Sequence, residues 1–340
     1  MYCSLQTQST IIAQPSRFFD GILCGYASAR RATKGLCVLQ AYVDDSDTHT
    51  GEKRLVLAGY VHRIDVWKEF SDEWAKALAE PRRLSALHMT ESFHGWSRSE
   101  REAKLLRLAG VIRKFRPISI ECSISSRDYK AVVEPYAPYD LRHPYFPCFF
   151  GLVVSSARMV EELGLQGPLD FVFDERGNVG PNAVIWYEAI KQWQGPSIKK
   201  ILGGPPIFKD DEEVLPLQAA DMLVWHRRLV MEPTCSELQK TFAESLHSRH
   251  IVTEIPRSML EEWATAFAKV PGIERTRGKR GSVKKVAAEI SRSVPPERLI
   301  PAIESMRKKL RWIQLAQAVL RRVGMRKLAK KLGKRAVLIK

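Results

Sequence analysis

GLCVLQAYVDDSD, residues 35–47, is the stretch on which the fold turns. Its first nine residues are almost continuously apolar and β-prone, the pattern of a strand covered on both faces. The run ends abruptly on Asp44, Asp45, Ser46 and Asp47. Residues 54–63, RLVLAGYVHR, repeat the strand pattern after a polar turn rich in Thr, His and Gly, which predicts a hairpin. Residues 169–175, LDFVFDE, reproduce the first motif: a buried strand running into Asp174 and Glu175.

Outward from these strands the periodicity changes. Trp67, Phe70, Trp74 and Leu78 recur at helical spacing over residues 64–78, and residues 99–115 form a second helix opened by a Ser-x-x-Glu start at Ser99. Residues 118–124 alternate as a strand. Further helices are predicted over 146–163, 182–193, 215–230 and 259–269, with an edge strand over 197–202. Strands that first meander and then alternate with helices predict an α/β fold, a mixed sheet with helices on its faces.

The helix over 215–230, LPLQAADMLVWHRRLV, carries Asp221 among Ala219, Ala220, Met222, Leu223 and Val224, none of which offers a countercharge. An ionised carboxylate buried alone costs several kcal/mol, so it is normally paired, protonated or metal-bound. Each acid has an ordinary explanation. Asp44 suits a hairpin turn, Asp174 with Glu175, Gly177 and Asn178 suits a loop start, and Asp221 can pair with Arg227 or Arg228. Taken together they have another. Strand ends are where α/β folds build sites. If the two strands are neighbours and the helix crosses their ends, Asp44, Asp174 and Asp221 converge and require a cation. Hard carboxylate oxygens favour Mg²⁺ or Mn²⁺. Two such ions roughly 3.5–4 Å apart serve phosphodiester cleavage. Asp45, Glu175 and Gln218 are expected to assist, Gln218 from three residues before Asp221 by orienting the carboxylate or a water.

His88 and Glu91 in LHMTE are secondary candidates. On a helix they would share a face and supply a general base or an outer-shell ligand, while a polar loop or capping pair is the plainer reading. Trp96, Tyr145 and Trp225 could stack on bases, though core packing is the better expectation. No Walker loop, Gly-x-Gly-x-x-Gly, Gly-x-Ser-x-Gly or His-Glu-x-x-His is present, which leaves nucleotide-triphosphate, dinucleotide, serine-hydrolase and zincin chemistries unsupported.

Five ordered segments carry a family resemblance: AYVDDSDTH, LVLAGYV followed by Trp-x-x-Phe-x-x-x-Trp, LHMTESFHGW, FVFDE and PLQAADMLVW. Across roughly residues 37–230 the chain resembles a bacterial family known only as domain of unknown function 3800. The resemblance implies a ribonuclease H-like, integrase-type fold. It also implies catalytic acids at Asp44 on the first strand, Asp174 on a later strand and Asp221 on the following helix. The family often has Gly where Asp47 stands here. A divalent-metal-dependent nuclease or strand-transfer activity is the leading expectation. The alternatives are a non-catalytic nucleic-acid-binding or adaptor protein, and a protein whose tail mediates oligomerisation.

The charge is segregated. Residues 275–340 hold 21 Lys and Arg against 3 Asp and Glu, which leaves 33 basic against 35 acidic residues in the first 274. A near-neutral body with a tail of about +18 predicts a polyanionic partner and salt-dependent binding. Residues 271–294 read as a basic, Gly-containing linker. In the tail, 295–340, apolar residues from Leu299 to Leu320 fall on one helical face, with Arg307, Lys308, Lys309, Arg311, Arg321, Arg322, Arg326 and Lys327 available to phosphates. The same amphipathic pattern serves a protein partner, a second copy or an anionic membrane surface. Residues 1–34 read as an irregular extension ahead of a domain spanning 35–270. No apolar stretch reaches membrane-spanning length. Six cysteines without metal-site spacing fit free thiols in a reducing cytoplasm.

Overall fold

The structure is a computed structural model that describes residues 38–46, 54–137, 141–175 and 179–268. The extension, the linker, the basic tail and Asp47 lie outside the described residues. In chain order the elements begin β1 (Leu39–Asp45), β2 (Arg54–Arg63), α1 (Ile64–Ala79), α2 (Arg98–Phe115), β3 (Ile118–Ser125), α3 (Ser126–Val132) and α4 (Tyr145–Glu162). They continue β4 (Leu169–Asp174), α5 (Val179–Trp193), α6 (Pro196–Ile201), β5 (Ile207–Lys209), α7 (Leu215–Val230), α8 (Glu237–Glu244), β6 (Arg249–Ile255) and α9 (Arg257–Ala268).

The six strands form one mixed sheet in the order β5-β4-β1-β2-β3-β6. Strand β2 runs antiparallel to β1 and β3, and every other neighbouring pair is parallel. The central strands read as continuously apolar because both faces are covered. Ala41, Val43, Leu55, Leu57, Phe171 and Phe173 pack with Phe149, Leu152, Tyr187 and Leu260 of α4, α5 and α9. The alternate residues Tyr42, Val56, Ala58, Tyr60 and Val172 pack with Trp67, Phe70, Trp74, Leu217 and Met222 of α1 and α7. Residues 40, 42 and 44 of β1 and 170, 172 and 174 of β4 therefore all point toward the α1/α7 layer.

Three local devices set this layer. Gly59 of β2 lies opposite Val43, and a Cβ there would stand 1.9 Å from the Tyr42 carbonyl oxygen, so no side chain fits between the strands. Lys104 of α2 is buried and donates from Nζ to the carbonyls of Ala77 (2.9 Å), Leu78 (3.1 Å) and Glu80 (2.7 Å), satisfying acceptors left open at the end of α1. Glu121 of β3 receives Arg227 Nε of α7 at 2.6 Å and lies 3.1 Å from His250 Nε2 of β6. Burial pushes the Glu121 carboxyl up, but the hydrogen bond from His250 and the charge and hydrogen bond of Arg227 outweigh it and hold the group below its ordinary range. Arg227 is thus committed to Glu121, not to Asp221.

Some expectations need correction. Residues 196–201 form helix α6, because Gly195-Pro196 places a proline at the first helical position, where its missing N–H costs nothing; the sheet edge is β5 instead. The cap of α2 is Ser97, whose side chain and Glu100 form a reciprocal capping box, and Ser99 falls inside the first turn. Short helices α3 and α8 and edge strand β6 went unread. Residues 88–91 form turns, with Glu91 N–H donating to the His88 carbonyl at 3.1 Å, so the pair shares no helical face. Among the described residues Cys122, Cys148 and Cys235 are free thiols, and no helix is long and apolar enough to cross a membrane.

Candidate functional site

The site begins with two strand ends. The β1–β4 register pairs Val43 with Phe173, so the next residues, Asp44 and Asp174, stand side by side where the β1–β4 ladder ends. Neighbouring strands stand about 4.8 Å apart. Both acids belong to the set of residues that faces α7. Asp44 is buried, and its Oδ1 accepts the Asp45 N–H at 2.7 Å, folding the carboxylate back over the strand end. Ser46 extends the hairpin: its N–H donates to the Val56 carbonyl at 2.8 Å and its Oγ accepts the Val56 N–H at 3.0 Å. Asp174 is half-buried and pairs in register with Lys209 of β5.

Helix α7 packs across β1 and β2 and brings Asp221 to this layer. Asp221 Oδ2 accepts the Met89 N–H at 2.8 Å. The segment carrying Met89 is held by Gln218, one turn earlier on α7. Gln218 is fully buried. Its Oε1 accepts Trp74 Nε1–H at 3.1 Å and Leu87 N–H at 3.2 Å, and its Nε2 donates to the Asp211 carbonyl at 3.0 Å. Sequence reasoning offered this amide to Asp221 or to a water. Its polar atoms instead join α1, the 86–92 segment and the turn before α7, which makes Gln218 a positioning residue.

That turn contributes an acid that went unread. Asp211 is buried, and its Oδ2 lies 3.1 Å from His88 Nδ1. Burial, then the negative charges of Asp174, Asp221 and Asp210, push its carboxyl up to about 7 against the pull of His88. The dependence on Asp174 and Asp221 places Asp211 in the same electrostatic cluster, with His88 as its basic member. The one signal in the sequence is the acidic run 210–213 immediately before an apolar helix, which reads as ordinary complementation of a helix dipole.

Comparison with family models, with curated proteins and with solved structures returns no match. What the site can do therefore rests on its own residues.

The other predicted residues scatter. Asp45 alternates away from Asp44 toward the α4 layer, where its charge helps to raise the buried Cys148 thiol. Glu175 is exposed and anchors the chain through its N–H to the Lys209 carbonyl at 2.9 Å. Glu91 is exposed in the turn after Met89. Tyr145 is core, whereas Trp96 and Trp225 are half-buried.

Among the described residues, no group of three or more His, Cys, Asp or Glu side chains is placed to hold a metal ion. The donor chemistry nevertheless suits one. Asp44, Asp174, Asp211 and Asp221 offer hard oxygens, and the charges of Asp174, Asp221 and Asp210 add to burial in raising the Asp211 carboxyl.

Proposed function

We propose that this protein is a divalent-metal-dependent enzyme acting on phosphodiester bonds in nucleic acid, with a ribonuclease H-like core that is part of the domain of unknown function 3800 family. The observation that carries the reading is the register of β1 on β4, which leaves Asp44 and Asp174 adjacent on the face crossed by Asp221. Acids at the end of the first strand, at the end of a later strand and on a following helix match the order that the resemblance implies. The single antiparallel strand β2 among parallel neighbours is compatible with that core.

Asp44, Asp174 and Asp221 would hold Mg²⁺ or Mn²⁺, with Asp211 as a fourth carboxylate. When bound, the cation supplies Lewis-acid polarisation and charge neutralisation at the scissile phosphate. The chain supplies the rest. The Met89 N–H fixes one oxygen of Asp221. Gln218 holds Leu87 and the Asp211 backbone, and so sets the approach of His88 to the acids. His88 is the nearby group able to pass a proton, with Asp211 holding its ring. The basic tail is suited to retain the polyanion.

Labelled single- and double-stranded DNA, RNA and hybrids incubated with Mg²⁺ or Mn²⁺ test the reading. Metal-dependent cleavage that Asp221→Asn or Asp44→Asn lowers at least about a hundredfold is the expected result. Cleavage that persists unchanged in Asp221→Asn belongs to a contaminant and removes the assignment. Binding without cleavage of any substrate, and no shift of thermal stability on Mn²⁺ addition, favours a non-catalytic nucleic-acid-binding protein.

A further inference from the structure

One turn along α7 from Asp221, at the rim of the α1/α7 core, rings and guanidinium groups meet, with Phe93 and Trp225 packing their inner sides on that core. Phe93 and Trp96 meet edge to face at 5.4 Å in the segment that follows Met89. Arg101 of α2 lies over two rings, Phe93 at 5.2 Å and Trp225 at 5.3 Å, and Arg82 lies over Trp96 at 5.0 Å. All three rings are half-buried, unlike Trp67 and Trp74, which are sealed in the core.

We propose that Phe93, Trp96 and Trp225, with Arg82 and Arg101, form the binding surface for a single-stranded polynucleotide entering the acidic site. The proposal rests on the phosphodiester reading above and names its substrate class. Three observations favour this occupant. First, position: Trp225 follows Asp221 by four residues, about 6 Å along the helix axis, and Phe93 follows Met89, whose N–H holds Asp221, by the same count. Second, charge: Arg98 is paired with Glu102 at 2.7 Å and Arg82 approaches Glu100 at 3.6 Å, yet no carboxylate pairs with Arg101 among the described residues. A half-buried guanidinium over two rings, one of them a helical turn from Asp221, and without a carboxylate partner keeps its charge available to a phosphate. Third, shape: planar rings and planar guanidinium groups offer stacking faces to bases. A duplex keeps its bases stacked inside and cannot use them.

The test measures anisotropy of labelled twenty-nucleotide dT and U strands, and of a DNA duplex of the same length, with the full chain in EDTA. Wild type is expected to prefer single strands. Trp96→Ala, Trp225→Ala and Arg101→Gln should each weaken single-strand binding about tenfold and leave duplex binding unchanged. Trp225→Phe should restore affinity to within about threefold, and single strands should quench tryptophan emission less in Trp225→Phe than in wild type. The dT and U arms separate DNA from RNA. Binding is read in EDTA, where the metal that cleavage needs is withdrawn, and cleavage is read separately with Mg²⁺ or Mn²⁺, so the two readings fail separately. Wild-type single-strand affinity in folded Trp225→Ala and Arg101→Gln, checked by unchanged near-ultraviolet circular dichroism, overturns the proposal even if cleavage persists.

Discussion

Gln218 shows how one side chain can hold a site without touching its chemistry. Removing its amide leaves the Trp74 indole N–H, the Leu87 N–H and the Asp211 carbonyl without that partner in the buried interior. Each orphaned group costs about 1–3 kcal/mol, so Gln218→Ala should lower stability by about 3 kcal/mol or more in urea melts, with cleavage reduced alongside. Two titrations oppose each other. His226 lies against Trp225 and Phe242, with neither ring nitrogen hydrogen-bonded among the described residues. Burial, helped by the charge of Arg101, lowers its pKa from 6.5 to about 3. The unfolded chain takes up that proton first, so stability falls as pH drops below 6.5. Asp211 works the other way. Its carboxyl is raised from 3.8 to about 7, the unfolded chain ionises first, and stability falls as pH rises through that window. Each slope is at most about 1.4 kcal/mol per pH unit. In chelator, Asp211→Asn should therefore uncover acid lability below pH 6.5, and adding His226→Phe should remove it, as read by melting temperature against pH. The places of Asp44 and Asp174 at strand ends were legible because each directly follows a covered, apolar strand. Asp211 was not, because its significance lies in the approach of its turn to Asp174, which no local pattern encodes.

At the scale of elements, β2 and α7 were read to the residue. Arg54–Arg63 follows a polar stretch of sequence and passes straight into α1, where the apolar period changes, and Leu215–Val230 begins on a Leu-Pro pair and carries its basic residues in its last turn. Strand β6 escaped because it is an edge: Val252 is 51% exposed, and an edge strand lacks the doubly apolar pattern of a central one. Helix α6 was mistaken for a strand because Ile198, Ile201 and Leu202 suit either element over so short a run. The β1–β2 pairing depends on a missing side chain. In Gly59→Ala the new methyl meets the Tyr42 carbonyl oxygen, which is backbone and cannot rotate aside. A loss of about 3 kcal/mol or more is expected, with faster amide exchange along β1 measured by mass spectrometry. The same displacement would move Asp44, so cleavage should fall further than the lost stability explains.

For the whole molecule, charge is segregated: the body is near neutral and residues 275–340 hold more than the net charge. Replacing Arg307, Lys308, Lys309 and Arg311 by Gln should lower the slope of log affinity for a single strand against log salt by up to about 3, since each neutralised phosphate contributes about 0.7. The acids have a different history. Asp44 and Asp174 are neighbours through the β1–β4 ladder, although 129 residues separate them along the chain. We expect parallel pairing across so long a loop to form late in folding, because its closure entropy comes before its contacts can offset it. Repulsion among the acids is then felt in the finished protein and scarcely in the transition state, so it hastens escape from the native state without hindering arrival. Asp211→Asn should slow unfolding several-fold in chevron measurements and leave the refolding rate nearly unchanged. A site that concentrates negative charge at the seam closed last is held by kinetics as well as by packing, and a bound cation would act on this protein as a brake on its unfolding.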